Sequence, residues 1–531
     1  MFDFILKNGL IVDGTRKKPY AGDLYAKDGK IVKIVKAGEP APEGEAKAIY
    51  DVGAHVVAPG FINLHSHSDN TYIKTPTYAS MLDGGVTFEL CGQCGLSCVP
   101  IGNELPPMPA SGLLKLTAKD FEDIPRNTAE YAETINKRGI SLNVGMMLGH
   151  GALRAAVIGY EQRALTDAEM EQMCAYLDRE LKAGAMGVTL GLIYAPGSFC
   201  DIEEIKAMAR VCAENNKVLA VHVRSENRFV FEAVEEMLAV AKETGVRLEI
   251  SHLNLMGKTM WGRADELLAR IDLARAQGVS VFADQYSYDA SNSALVSSLP
   301  TEAMDGGYEG LTRNLQDDAF WDRISDHGTL SELEFRGGVD NIVVNEITGP
   351  AWPEVIGKSL TEIGRMLGMP TSDAVRELLL RCHGQVNCIY HNMSMEDVLT
   401  IMSRRDVSVI SDGTAFDPDN YGGCPHPRNC GSFPRFLRLV RENDLMPIED
   451  AVFKMTGLPS TIMRTDDQFG FLKEGLDATI TVFDRDRVTD HATYEQPNLR
   501  NEGIDYVFVN GELVLDHGTI TDARPGRCIL R

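Results

Sequence analysis

The spacing of hydrophobic positions along the 531-residue chain changes character twice. Over the first 57 residues, short alternating runs (FILKNGLIVDG, GDLYAKDGKIVKIV, AKAIYDVGAHVVAPG) are punctuated by Asp-Gly pairs suited to tight hairpins, which predicts antiparallel strands and no helix. The last sixty or so residues repeat the style in GLDATITVFD and IDYVFVNGELVLDHGTI, with a further turn at Asn510-Gly511. Chain ends lie near each other in most domains, so residues 1–57 plus 470–531 are expected to form one small β-sandwich domain.

Between them, residues 58–469 alternate short apolar runs with amphipathic helical stretches, the pattern of parallel strands with helices outside. Eight strands are predicted: APGFINLH, GVTFELCG, SLNVGMML, AMGVTLGL, VLAVHVR, RLEISHL, VSVFADQY and VSVISDG. Helices such as TDAEMEQMCAYLDRELKAG and FVFEAVEEMLAVAKETG end on glycines placed as C-terminal stops. Eight such units favour a closed (β/α)8 TIM-like barrel over an open doubly wound sheet, giving an α/β fold class. The regularity breaks between about 291 and 345, which reads as an insertion between strands seven and eight able to cover the barrel mouth.

The formal charge of −24, from 76 acidic and 52 basic residues without any basic run, argues against nucleic acid and anionic membrane as partners and reads as solubility; a small-molecule substrate is expected from the site residues below. No stretch reaches the roughly 18 apolar residues needed to span a bilayer, and the eleven cysteines form no secretory framework. A soluble cytoplasmic protein with reduced thiols is expected.

Polar residues collect at the predicted strand ends, where barrel enzymes place their chemistry. Strand one ends in His65-Ser66-His67, and two histidines one residue apart in extended chain point the same way, so both can bind one metal. An isolated His-x-His is more often structural; the preceding Pro59-Gly60-Phe61 and the strand it opens reverse that balance. In Cys91-Gly92-Gln93-Cys94-Gly95, no second cysteine pair stands at zinc-knuckle spacing, so Cys94, flanked by residues that allow a sharp bend, is read as a single thiolate ligand, with Cys91 and Cys98 as packing residues. His222 and His252 end strands five and six. Asp412 ends strand eight, where a carboxylate can bind metal, take a proton from water and return it to a leaving amine. His150, at the end of strand three, suits the pocket wall and the core equally.

These residues resemble the amidohydrolase superfamily, and more closely its N-acyl-D-amino-acid deacylase (D-aminoacylase) branch. The likeness runs almost end to end, through PGFINLHSHSD, GVTFELCGQCGLS, MGVTLGLIYAPG, HVRSE, ISHLN, ADQYSY, SDG and HPRNCGSFPRFL. It implies a tight Zn2+ site at Cys94, His222 and His252, and a second, weaker site framed by His65, His67 and Asp412, with Asp412 as general acid/base. Hydantoinase- and dihydroorotase-like relatives bridge two metals with a carboxylated lysine on strand four; residues Ala185 to Leu192 contain none, and the Cys94 thiolate can supply the negative charge instead.

The resemblance also implies that Arg428 grips the substrate carboxylate, a task suited to its planar two-donor fork, and that Tyr194, Tyr286, Tyr288 and Ser291 line the acyl-amino-acid pocket. One position departs from the pattern. Where family members commonly carry a substrate-binding lysine two residues after the strand-six histidine, this chain has Asn254, which leaves Arg428 as the main anion anchor and Lys258 as a candidate substitute. The expected reaction is zinc-dependent hydrolysis of N-acyl-D-amino acids to a D-amino acid and a carboxylate. Hydrolysis of a cyclic or other small amide is the alternative, favoured by Asn254 and opposed by the missing lysine.

Overall fold

The computed structural model describes residues 1–101, 113–121, 124–348 and 352–531. Both ends of the chain contribute to one nine-stranded sheet, joined where Val56–Pro59 runs antiparallel to Ile480–Phe483. Its inner face packs Phe4, Leu6, Leu24, Val57, Ile480 and Phe508 together, with the Phe4 and Phe508 rings stacked at 4.2 Å. The sheet is mixed rather than wholly antiparallel: Phe2–Ile11 is parallel to Ala46–Asp51 and to Val56–Pro59. After the meander of the first three strands, the third runs in the direction of the first, and the chain crosses over before adding the next strand beside Phe2–Ile11.

The middle of the chain is α/β with parallel pairing throughout its inner strands. Phe61–Asn63, Val86–Cys91 and Asn143–Met146 form one parallel sheet. Leu148–Gly149, Gly187–Gly191, Val218–His222, Arg247–Ile250, Val281–Gln285 and Val407–Val409 form another, in that spatial order. Two features connect the sheets. Asn143–Met146 leads into Leu148–Gly149 with a break of one residue at Met147, whose N–H bonds to Cys91 O at 2.9 Å. At the other edge Ser66 bridges Gly413, and the Asp412 N–H donates to His65 O at 3.1 Å.

The predicted helices are present. Asp167–Lys182 begins in a full Thr166/Glu169 capping box and buries Met173, Leu177 and Leu181, spaced four apart on one face, each stabilising the fold by about 1.5–3 kcal/mol. Val230–Thr244 ends at Gly245, whose left-handed backbone (φ 72°) suits glycine.

The insertion is longer than the hydrophobic pattern suggests. Ser291–Ala294, Val386–Tyr390 and Ile342–Ile347 form an antiparallel sheet, and helices such as Gly307–Gln316 and Thr371–Arg381 close over a separate apolar core containing Leu311, Trp321, Val344 and Leu378. It therefore extends to Tyr390, well beyond 345. Locally, Ile342–Ile347 followed by helices has the same pattern as a further strand-helix unit, and only its antiparallel pairing separates it from the inner strands.

Two glycines let the Cys94 turn settle on the strand ends. A Cβ at Gly92 (φ +82°) would lie 1.9 Å from Met147 O, and one at Gly191 would lie 1.8 Å from Cys94 O. Because the colliding atoms are backbone, Gly191→Ala is expected to displace Cys94. A lowered thermal midpoint together with loss of zinc in elemental analysis would show it, and unchanged values for both would show that the turn is not pinned there.

Candidate metal centre

Six predicted ligands arrive from five strand ends; His67, Cys94, His222, His252 and Asp412 line a cavity of about 360 Å³, and His65 is buried against them. The Cys94 Sγ lies 3.3 Å from His65 Nε2, 3.4 Å from His252 Nε2 and 3.8 Å from His222 Nδ1, and the last two nitrogens are 3.0 Å apart. Nitrogen and sulfur ligands around one tetrahedral zinc stand roughly 3.3–3.6 Å apart, given bonds of ~2.0–2.3 Å. The separations of Cys94 from His65 and His252 fall in that range, whereas His222 stands closer to His252 and farther from Cys94, so a shift of a few tenths of an ångström at His222 would seat such an ion. Asp412 Oδ1 faces His65 Nε2 at 3.3 Å and His67 Nε2 at 3.2 Å, so His65 lies between the thiolate group and the carboxylate group. Cys94, His65, His252 and Asp412 each offer an atom within 4.8 Å of the others, and all four are buried.

The backbone is strained where these ligands sit. Cys94 (φ 54°), His252 (φ 31°) and Asp412 (φ 49°) occupy the left-handed region that non-glycine residues rarely adopt. Such strain persists only where surrounding contacts enforce it. The Asp284 carboxylate accepts the backbone N–H of His252, and Asp412 is held by its N–H bond to the first strand.

Electrostatics point the same way. Burial alone would raise the Cys94 thiol, but the charges of His65 and His252 and hydrogen bonds from His222 and His252 bring it well below the ordinary thiol value, which favours the anionic form a metal ligand needs. Burial likewise opposes ionisation of Asp412, and Arg428 first, then His252, His65 and His67, outweigh it and hold the carboxyl well below its usual range. Burial disfavours charge on His65 and His67; Cys94, Asp284 and Asp412 around the first, and Asp412 and Cys94 around the second, raise them to about 9 and about 10. The anions are thus balanced by imidazole protons, which a dication would displace on binding.

The structure separates the predicted pocket residues. Arg428, Tyr194, Tyr286 and Ser291 line the cavity. Arg428 Nη1 is 2.7 Å from Asp412 Oδ2, and the guanidinium stands over the Tyr286 ring at 4.9 Å. Tyr194 hydrogen-bonds Ser293 at 3.0 Å. Tyr288 is not among the described lining residues: the strand ends at Gln285, and beyond it the regular alternation of side chains no longer holds, so the Tyr288 hydroxyl turns away to donate to Pro427 O. His150 is also outside the lining. It sits fully buried at a helix start, with Nε2 2.6 Å from Glu204, whose other oxygen takes Arg154. Lys258 is exposed outside the lining and does not replace a cation at Asn254.

Two functional candidates went unassigned in the sequence. Glu226 and Asp284 stand inside HVRSEN and ADQYSY, yet both carboxylates reach the metal-facing histidines: Glu226 through His252 Nδ1 at 2.8 Å, and Asp284 through His65 Nδ1 at 3.5 Å. A carboxylate four residues after a strand-end histidine was the available signal for Glu226.

No family model matches the chain. Over its whole length it is 31% identical to D-aminoacylase of Alcaligenes xylosoxydans xylosoxydans, covering 98% of that protein, and 31% identical to N-acyl-D-glutamate deacylase of the same organism, covering 96% of it. It superposes with a TM-score of 0.82, at 32% identity and over all of both chains, on the crystal structure of N-acyl-D-glutamate deacylase from Bordetella bronchiseptica in complex with zinc and a phosphonate mimic of the tetrahedral intermediate. With a TM-score of 0.84, at 30% identity and again over all of both chains, it superposes on D-aminoacylase, described as defining a novel subset of amidohydrolases and as having a binuclear metal centre with one-metal activation and second-metal attenuation. The chain belongs to the D-aminoacylase family of amidohydrolases.

Proposed function

We propose that this chain is a zinc-dependent amidohydrolase that cleaves the amide bond of N-acyl-D-amino acids, releasing a D-amino acid and a carboxylate. The observation that carries the reading is the meeting of Cys94, His222 and His252 within 3.8 Å of one another beside Asp412 and Arg428 on one cavity wall. The preference for D-substrates rests on the relatives. Cys94, His222 and His252 would hold zinc, which would supply Lewis acidity and lower the pKa of a water from about 15.7 towards 7.

The chain's own residues do the rest. Asp412 accepts the proton of the attacking water and returns it to the amine as the C–N bond breaks. Arg428 takes the substrate α-carboxylate. In the free site its guanidinium is paired with Asp412, so a substrate carboxylate competes for it and frees Asp412 to act as a base. Tyr194 and Tyr286 stand where a phenol can donate to the scissile carbonyl. His65, His67 and Asp412 frame a second, weaker zinc site.

The parallel inner strands and the Ser66–Gly413 bridge support closure into a (β/α)8 barrel over 58–469, with residues 1–57 and 470–531 as a β-sandwich domain. Among the described residues no helix is long and apolar enough to cross a membrane, and eleven free, mostly buried thiols suit a cytoplasmic location. Cyclic-amide hydrolysis is less well supported, because the strand Gly187–Gly191 offers no lysine for a bridging carbamate.

The cavity favours an uncharged substrate side chain. Its described lining holds three guanidinium groups against four carboxylates, of Glu226, Glu332, Glu346 and Asp412, and no lysine. Arg224 is paired with Glu236, Arg336 with Glu332 and Arg428 with Asp412, so each described lining guanidinium already has a carboxylate partner.

Asp412→Asn is expected to retain zinc at the tight site while kcat falls by about 10²–10⁴-fold; activity near the wild-type level would remove Asp412 from proton transfer. Cys94→Ala should emerge from purification without zinc, and full occupancy by elemental analysis would refute its role as ligand. Acetyl-D-leucine or acetyl-D-methionine should be hydrolysed with kcat/KM at least about tenfold above acetyl-D-glutamate, a difference of about 1.4 kcal/mol. A preference for the acidic substrate would contradict the reading of the cavity.

A further inference from the structure

Glu226 lines the cavity beside His222 and His252, close enough to form a metal-holding group with them, and its carboxylate is divided between the two imidazoles. Its Oε1 accepts the Nδ1–H of His252 at 2.8 Å, while its Oε2 faces His222 Nε2 at 3.5 Å, a ring nitrogen that is buried without a hydrogen-bond partner among the described residues. The opposite nitrogens, His252 Nε2 and His222 Nδ1, are those directed at Cys94. The two histidines therefore present different ring atoms to the metal position, and the one feature common to their outward-facing atoms is this carboxylate. Glu226 is itself held: Asn254 Nδ2 donates to the same Oε1 at 3.1 Å and to the Tyr286 hydroxyl at 3.1 Å.

We infer that Glu226 is a positioning residue that fixes which nitrogen each of His222 and His252 turns to the metal, and that Asn254 is the strut holding Glu226 in place. The inference rests on the zinc site proposed above. A carboxylate accepting the outer N–H of a ligating histidine sets its tautomer and ring orientation and raises its basicity, and loss of such a partner commonly costs 10–100-fold in metal affinity. Sharing one carboxylate between both histidines couples their orientations. Asn254 then has a role that a lysine would alter: an ammonium at this place would form an ion pair with Glu226 and draw its charge away from the imidazoles, whereas a neutral amide holds the carboxylate without neutralising it. Through Asn254 and Tyr286 the chain of contacts continues to Arg428, so the carboxylate anchor and the metal position share one scaffold.

The test is zinc affinity, measured by competition with a chromophoric chelator on the full chain, together with the visible spectrum of the cobalt(II)-substituted protein. Glu226→Gln is expected to bind zinc about 10–100-fold more weakly than wild type while keeping the cobalt–thiolate band, because Cys94, His222 and His252 remain. Asn254→Ala, which leaves carboxylate and ligands in place and guards against a folding failure of the first variant, should show a smaller loss in the same direction. Asn254→Asp should weaken binding further by setting two carboxylates against each other. Wild-type affinity in both Glu226→Gln and Asn254→Ala would overturn the inference, as would a change in cobalt coordination number in Glu226→Gln, which would make Glu226 a ligand. If the wild-type chain itself bound no zinc, the proposed function would fall first; zinc-tight wild type with an unaffected Glu226→Gln would sink the positioning role alone.

Discussion

A thiolate and several carboxylates buried within a few ångströms of one another is the constraint around which the rest of the molecule is arranged. Each charge taken out of water costs several kcal/mol unless it is compensated at short range, and at this site the compensation comes from imidazoles, from Arg428 and, on the proposed reading, from zinc. Removing any one partner leaves another charge buried and unmatched. The strained backbone at Cys94, His252 and Asp412 is tolerable for the same reason, since the surrounding hydrogen bonds and ligand contacts hold these residues in place.

The architecture supplies that compensation by convergence. Parallel strands bring residues separated by more than three hundred positions, such as His65 and Asp412, to adjacent ends of one array, where the ladder continues from strand into ligand loop through the bond from Asp412 N–H to His65 O. Glycine at 92 and 191 allows the Cys94 turn to lie against neighbouring strand ends at backbone contact distance. The segment from Ser291 to Tyr390 adds Asn292, Val296 and Tyr390 to the cavity wall, which lowers the dielectric around the buried charges and strengthens their interactions.

Much of this could be read in the chain, for identifiable reasons. Histidines at the ends of apolar runs stand out because a buried strand with a polar tip has few other uses, and the lack of a lysine in Ala185 to Leu192 leaves Cys94 as the candidate anionic ligand. A strand-end position does not reveal which way a side chain turns: two residues along the same segment, Tyr286 faces the cavity and Tyr288 turns to Pro427, and of the two places open to His150 the core is the one it takes. The insertion boundary was missed because Ile342–Ile347 carries the same local pattern as an inner strand and differs only in the direction of its partner.

The sequence by itself determined the alternation of strands and helices, the β-rich character of both ends and the residue types gathered at the strand tips, because periodicity and turn chemistry are local properties of the chain. Only the tertiary structure decided which of those residues touch. The pairing of Arg428 with Asp412, the sharing of Glu226 between His222 and His252 and the change of partner at Asn254 all depend on side chains brought together from different strand ends. Contacts of that kind are fixed by strand order and backbone direction, which no local pattern encodes.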